Sequence, residues 1–298
     1  MQPTSVEFEV SRVNYHDVAS VAAGLFAAGI IKGVTGIGYA TCAMPMLTLA
    51  VGLPAAISIV ILPALASNAA MLFASRNLGA VFRRFSVFYL GILPGIATGA
   101  LLLTLVDVRY ATRGLAILTL AYVLLAVARP QLSLSSGAAR ALALPAGVLN
   151  GVLTGLTGSQ IIPLVPYMLA LRLEPAVQAQ AINLAVTIAS AALGTALLGA
   201  GVMTPELLAV SAAGILPAVA ATWAGTLLHC RLPVDALRRL TLLVLSVVAI
   251  GLVTGELADI ARWTLAFATL PPRHSLGHSS AADPSPPVLS GFEYPPMP

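Results

Sequence analysis

The sequence predicts an all-α polytopic membrane protein made of two tandem homologous repeats, each opening with a broken or re-entrant helix. Three observations lead there. The 298-residue chain is 58% hydrophobic and only 9% charged, whereas a soluble domain carries about 25% charged residues to cover its surface. Apolar runs near or beyond the roughly 18–20 residues needed to cross a bilayer recur from Val18 to about Leu270. Short motifs also repeat at a nearly constant distance through the chain.

The elements follow in order. Residues 1–17 are polar, with Glu7, Glu9, Arg12 and Asp17, too acidic for the positive start of a cleaved signal. The first helix is therefore expected to stay uncleaved. Four apolar blocks follow, at about 18–52, 54–75, 86–106 and 111–128. The polar stretch "ARPQLSLSSGAAR", 128 to 140, joins them to four more at about 141–171, 175–200, 206–228 and 236–255. The domains are thus a repeat over 18–128, a linker over 129–139 and a repeat over 140–268. From 269 to 298 the chain is rich in proline and serine and is expected to be disordered. His274 and His278 lie in that tail, with no helix around them to make a metal site. Cys42 and Cys230 give no disulfide or zinc framework.

The repeats are legible as matched strings. "VTGIG" at 34–38 pairs with "LTGSQ" at 156–160, an offset of 122 at the Thr-Gly step. "GILPG" at 91–95 pairs with "GILPA" at 214–218, an offset of 123, and Pro54 pairs with Pro175, an offset of 121. The opening block of each half is anomalous. At 1.5 Å per residue, 18–52 would be roughly 50 Å long, against a hydrocarbon core of about 30 Å. Its glycines lie near the middle, so a break is expected, with legs at about 18–34 and 39–52. If the block goes in and returns, each half crosses an odd number of times and the repeats are inverted. Apart from Lys32, nine of the other 14 basic residues then share a side, against eight to six in a parallel arrangement. The positive-inside rule favours inversion, makes that side cytoplasmic and leaves both termini outside.

The breaks are where chemistry is expected. Non-helical backbone at membrane depth is tolerated only where protein or water surrounds it, and transporters use discontinuous helices to hold anions near the midplane. The expected binding residues are Lys32, Thr35, Gly36, Gly38, Asn68, Thr157, Gly158, Ser159 and Gln160. Backbone amides and hydroxyls supply donors from both halves, and Lys32 supplies a charge from one, a combination that suits a small anion. A central lysine costs roughly 2.5–3.5 kcal/mol on insertion scales and marks a pathway or a pair. Asn150 and Asn183 are further candidates for the lining, with bonding across helices as the alternative, and Tyr39 and Tyr167 could close over a ligand or simply pack. Gly29, Gly33, Gly151 and Gly155 also have the spacing that lets helices pack closely. Pro63, Pro94 and Pro217 read as helix kinks.

In these residues the chain resembles the sulfite exporter TauE/SafE family, also called the toluene sulfonate uptake permeases. "GIIKGVTGIGYATCAMPMLTL" (29–49) resembles its first signature, and "GVLNGVLTGLTGSQIIPLVPYMLAL" (147–171) its second. The proline-led second helix, the basic loop "SRNLGAVFRRF" and "GILPG" fit in order, so the likeness runs to about residue 255. The resemblance implies a multi-pass permease of the cell membrane for small sulfur-containing anions such as sulfite, a sulfonate or sulfoacetate. The sequence departs from the family at Ser159-Gln160, where many relatives keep glycines. That departure sets the two halves apart and places Gln160 to tune selectivity.

Other classes find less support. No GxxxxGK[ST], HExxH or GxSxG occurs, nor an intramembrane Asp pair, so neither ATP hydrolysis nor an enzyme is expected, and no cofactor. The formal charge of +4 comes from arginines scattered between apolar blocks, which suits helix flanks rather than nucleic acid. The expected partners are the small anion and the lipid bilayer, with a homodimer left open. The alternative reading is a non-transporting membrane subunit or scaffold whose glycine faces pack helices.

Overall fold

The computed structural model describes residues 15–36, 38–73, 78–128, 132–229, 239 and 242–254. Every element among them is a helix: α1 (Tyr15–Thr35), α2 (Tyr39–Val51), α3 (Leu53–Phe73), α4 (Leu78–Leu105), α5 (Val108–Ala128), α6 (Ser136–Thr157), α7 (Leu164–Ala170), α8 (Pro175–Gly199), α9 (Pro205–Ala213) and α10 (Ile215–His229). A last helix, α11, covers Leu242–Thr254. The proline-rich tail, both of its histidines, Cys230 and the acidic start of the chain lie outside the described residues. Residues to Leu252 belong to one unit and those from Val253 to another, of which Val253 and Thr254 continue α11.

Among the described residues, five segments are long and apolar enough to cross a membrane: α4, α5, α6, α8 and the 205–228 stretch of α9 and α10. Their outward faces carry large apolar side chains, such as Leu90, Leu101, Ile117, Leu124 and Leu216. An aqueous surface would penalise these groups, and lipid does not. The chain is a multi-pass helical membrane protein.

Several elements start earlier than the hydropathy suggests. α4 begins at Leu78 rather than near 86, so Arg83 and Arg84 stand on its exposed first turns instead of in a loop. Arg84 lies over the Phe85 ring at 5.4 Å, which shelters its stem beside apolar surface. α6 begins at Ser136 rather than 141, because the Ser135 hydroxyl accepts the Ala138 N–H and caps it. The end of the expected linker is therefore helix. The third block of the second half is interrupted at Gly214, between α9 and α10.

The opening block of each half turns back on itself. α1 stops at Thr35 and α2 restarts at Tyr39. A Cβ built on Gly24 would lie 2.8 Å from Leu47 Cδ1, and Tyr39 Oη donates to the Leu25 carbonyl at 3.3 Å. α2 thus runs back alongside α1. In the second half the chain leaves α6 at Thr157, passes 158–163 without helix and returns as α7. Tyr167 Oη donates to the Ala139 carbonyl at 2.8 Å, and the Leu134 N–H to the Ala170 carbonyl at 2.9 Å. Tyr167 also stacks on Phe88, with centroids 5.2 Å apart. Both tyrosines fasten returning legs to the outgoing ones.

Glycine sets the helix contacts. α4 meets α6 through Gly91, Gly95 and Gly99 on one side and Gly147, Gly151 and Gly155 on the other. A Cβ on Gly95 would sit 2.2 Å from the Val148 carbonyl oxygen, and one on Gly99 2.2 Å from that of Val152. Backbones this close leave no room for a methyl group, as in small-residue membrane interfaces. α1 meets α10 in the same way: a Cβ on Gly33 would lie 2.1 Å from the Thr222 carbonyl oxygen, and one on Gly225 2.3 Å from that of Ile30. The first helix of each half therefore packs on the third block of the other half.

Proline effects are met locally. Pro63 lacks the N–H that would bond the Ile59 carbonyl. Ser211 of α9 replaces it, donating to Ile59 O at 2.9 Å and accepting the Leu62 N–H at 3.2 Å. α3 runs through Pro63 unbroken with that support.

Candidate functional site

The site is assembled from the two breaks and the helices that hold them. Gly36 and Gly38 have φ of +79° and +92°, and Gly158 has +71°. These are left-handed conformations that cost an L-residue roughly 1–2 kcal/mol, which is why glycine stands at both Thr-Gly steps. The breaks lie against one another: a Cβ built on Gly38 would reach Ile161 Cδ1 at 4.0 Å. Gly158 is enclosed by α2 and α3, where an added Cβ would meet Met44 at 2.9 Å and Ile57 at 3.0 Å.

Freed carbonyls at a break need donors, since lipid offers none. Two asparagines that could line the site or bond across helices supply them. Asn183 of α8 donates to the Gly36 carbonyl at 3.3 Å, so the second half holds the break of the first. Asn150 of α6 donates to the carbonyls of Gln160 at 3.2 Å and Ile162 at 3.5 Å. Thr154 donates to the Ser159 carbonyl at 3.2 Å.

The expectation that the amides at both breaks are free donors is corrected at three positions. The Gly36 N–H bonds the Lys32 carbonyl at 2.7 Å, the Gly158 N–H bonds the Thr154 carbonyl at 2.8 Å, and the Ser159 N–H bonds Thr157 Oγ1 at 3.2 Å. These bonds close the helix ends, as expected where the last carbonyls otherwise lack partners. Thr157 is likewise engaged, donating to Leu153 O at 2.7 Å. Thr35 ends α1, and its side chain lies outside the described residues.

Side chains carry what the amides do not. Lys32 is 1% exposed, among the largest fully buried side chains of the described residues. Its Nζ donates to Ser67 Oγ at 3.1 Å and to Asn68 Oδ1, both on α3. No carboxylate pairs with it among the described residues. Asn68 Nδ2 is buried with no hydrogen-bond partner there. On the other side, Gln160 Nε2 bonds Ser190 Oγ of α8 at 2.9 Å, and Gln160 Oε1 is buried without a partner. Ser67 and Ser190 were not among the expected residues. Adding the 122-residue offset to Asn68 gives Ser190, and adding it to Lys32 gives Thr154, so the offset held the signal for Ser190. Positions related by that offset thus carry unequal chemistry.

The model of the family described as sulfite exporter TauE/SafE matches residues 21–252. The chain belongs to the sulfite exporter TauE/SafE family. The matched span runs from α1 into α11 and contains both breaks, Lys32, Asn68 and Gln160. No curated protein and no solved structure matches the chain. Membership identifies a membrane transporter of the sulfite exporter type.

Proposed function

We propose that the chain is a secondary transporter that binds a small sulfur oxyanion, such as sulfite or a sulfonate, where its two helix breaks meet. The observation that carries this reading is the burial of Lys32 against neutral oxygens alone. A buried ammonium is retained only with a compensating charge or water, and an anion in transit supplies one. Asn68 Nδ2 adds a second buried donor beside it. Gln160 contributes from the other half and distinguishes substrates by the polar group it offers. Gly36, Gly38 and Gly158 set the backbone path, and Thr35, Thr157 and Ser159 complete the two helix ends.

The glycine faces of Gly29, Gly33, Gly151 and Gly155 belong to helix packing, as the scaffold reading held. They are a separate set from the left-handed glycines at the breaks, so packing and binding coexist. Reciprocal packing of each first helix on the opposite half supports inverted repeats in the cell membrane, with re-entrant pairs α1–α2 and α6–α7. In that arrangement the starts of α4 and α6 face the cytoplasm. Single cysteines at Gly79 and Gly137 should then label with impermeant reagent only after permeabilisation, and those at Leu105 and Gly199 in intact cells. Labelling of all four from outside would refute it.

Flux of labelled sulfite into proteoliposomes tests the function. Wild-type protein should carry it, and Lys32→Met should lose it while inserting normally. Uptake by folded Lys32→Met protein at the wild-type rate would leave the site resting on something other than charge.

A further inference from the structure

The hydrogen-bond valence at Lys32 is incomplete in a way that specifies what else moves with the anion. An ammonium has three N–H donors and no acceptor. The described protein gives Lys32 two acceptors. Ser67 acts only as an acceptor toward it, because its own hydrogen goes to the Ala64 carbonyl at 3.0 Å. Asn68 likewise offers its carbonyl oxygen. Two acceptors match the two N–H groups of a neutral amine. Among the described residues the third N–H and the unit charge have no partner, and a bound anion supplies both.

The described residues around it supply no other group to balance that charge. α2 contributes two titratable residues, Tyr39, whose hydroxyl is committed to Leu25 O, and Cys42. α3 and α8 contain none, and α10 contains only His229, its last residue. On α1 itself, Tyr15, His16 and Asp17 stand at the far end, roughly 22 Å away along a helix of 1.5 Å rise. When the anion leaves, no described group compensates the cation, a costly state for a buried ion.

We propose that Lys32 takes up a proton with each anion and gives it up when the anion departs, making transport an anion–proton symport. On release an Nζ–H bond breaks, its electron pair remains on Nζ as the amine lone pair, and the proton passes to water entering as the anion leaves. Binding reverses the step. The empty carrier returns neutral, its two N–H groups still on Ser67 and Asn68. This rests on the anion-binding reading of Lys32 above, and its test separates the two.

The full chain is reconstituted in liposomes, with membrane potential clamped and protein-free vesicles correcting for passage of sulfur dioxide. Labelled sulfite is followed in two modes, net uptake and exchange against internal sulfite, with internal pH recorded. Wild-type protein should accelerate under an inward proton gradient and acidify the lumen in step with uptake. Lys32→Arg retains a charge that cannot be shed, so it should keep exchange and lose net uptake. Net uptake by Lys32→Arg as fast as its exchange overturns the symport. So does loss of both modes together in folded protein, which leaves Lys32 as a binding charge alone. Should Lys32→Arg fail to fold by size-exclusion, the wild-type record decides, and net uptake indifferent to the proton gradient overturns the proposal. Exchange by Lys32→Met at the wild-type rate removes the anion-binding reading itself.

Discussion

Replacing Gly95 by alanine tests whether the α4–α6 seam is as tight as its geometry implies. The new Cβ would lie 2.2 Å from the Val148 carbonyl oxygen, 2.9 Å from Gly151 Cα and 3.0 Å from the Val152 N–H nitrogen. These neighbours are all backbone, so no side chain can rotate away. The helices must separate by roughly 1 Å, and a gap of 0.5–1 Å forfeits about a quarter to a half of each dispersion contact along the seam. Overpacking of this kind costs about 1–3 kcal/mol or more, against a helix-propensity gain of up to about 1 kcal/mol for Gly→Ala. The net expectation is a loss of about 2 kcal/mol, or roughly 3 °C in Tm for a chain of this size. The reference is Gly137→Ala, where nothing lies within 4 Å and the propensity gain stands alone. Thermal unfolding in detergent, followed by tryptophan fluorescence, compares the two. A Gly95→Ala protein at least as stable as Gly137→Ala would refute the close seam.

Three further outcomes are expected. At Gly36 the obstacle is φ rather than space, since its added Cβ meets only Met71 at 3.8 Å; Gly36→Asn should therefore retain clearly more sulfite flux than Gly36→Val, and equal loss would contradict this. At Gly158 both φ and Met44 oppose a side chain, so Gly158→Ala should lower Tm more than Gly36→Ala does. Ser211→Ala should cost about 1–3 kcal/mol by leaving the Ile59 carbonyl unpaired. Adding Pro63→Ala restores an N–H to that carbonyl, so a double-mutant cycle of Tm values should show rescue rather than additivity.

Much of this was legible in the sequence for definite reasons. The break between α1 and α2 lies where it was expected, because an apolar run too long to cross once carries its glycines at the middle. The charge of Lys32, placed beside that glycine break, also pointed to a polar site. The uses of individual donors were less legible. Whether a glycine amide is free or closes the preceding helix depends on the carbonyl four residues back, which composition does not reveal. In sequence, Asn150 and Asn183 stand open between lining and cross-helix bonding because asparagine has the same polarity in either role. Their amides face backbone oxygens left by the breaks, a long-range pairing of 147 residues for Asn183. The early starts of α4 and α6 were hidden because arginine and serine lower hydropathy without opposing helix formation at its first turn.

The reciprocal glycine seams also fix the order in which the molecule can be built. Gly95 and Gly151 are both made by mid-synthesis, so the α4–α6 pair can close while the ribosome still works on the second half. Gly33 cannot meet Gly225 until almost 200 further residues have been added, roughly 10–40 s at 5–20 residues per second. For that interval α1 is a nascent segment with a lysine in its last turn and its glycine face without its partner helix. It must be sheltered by the insertion machinery or by lipid until α10 arrives. A stop codon anywhere before α10 strands it permanently, so truncated chains should be cleared by quality control as surely as if α1 itself were defective.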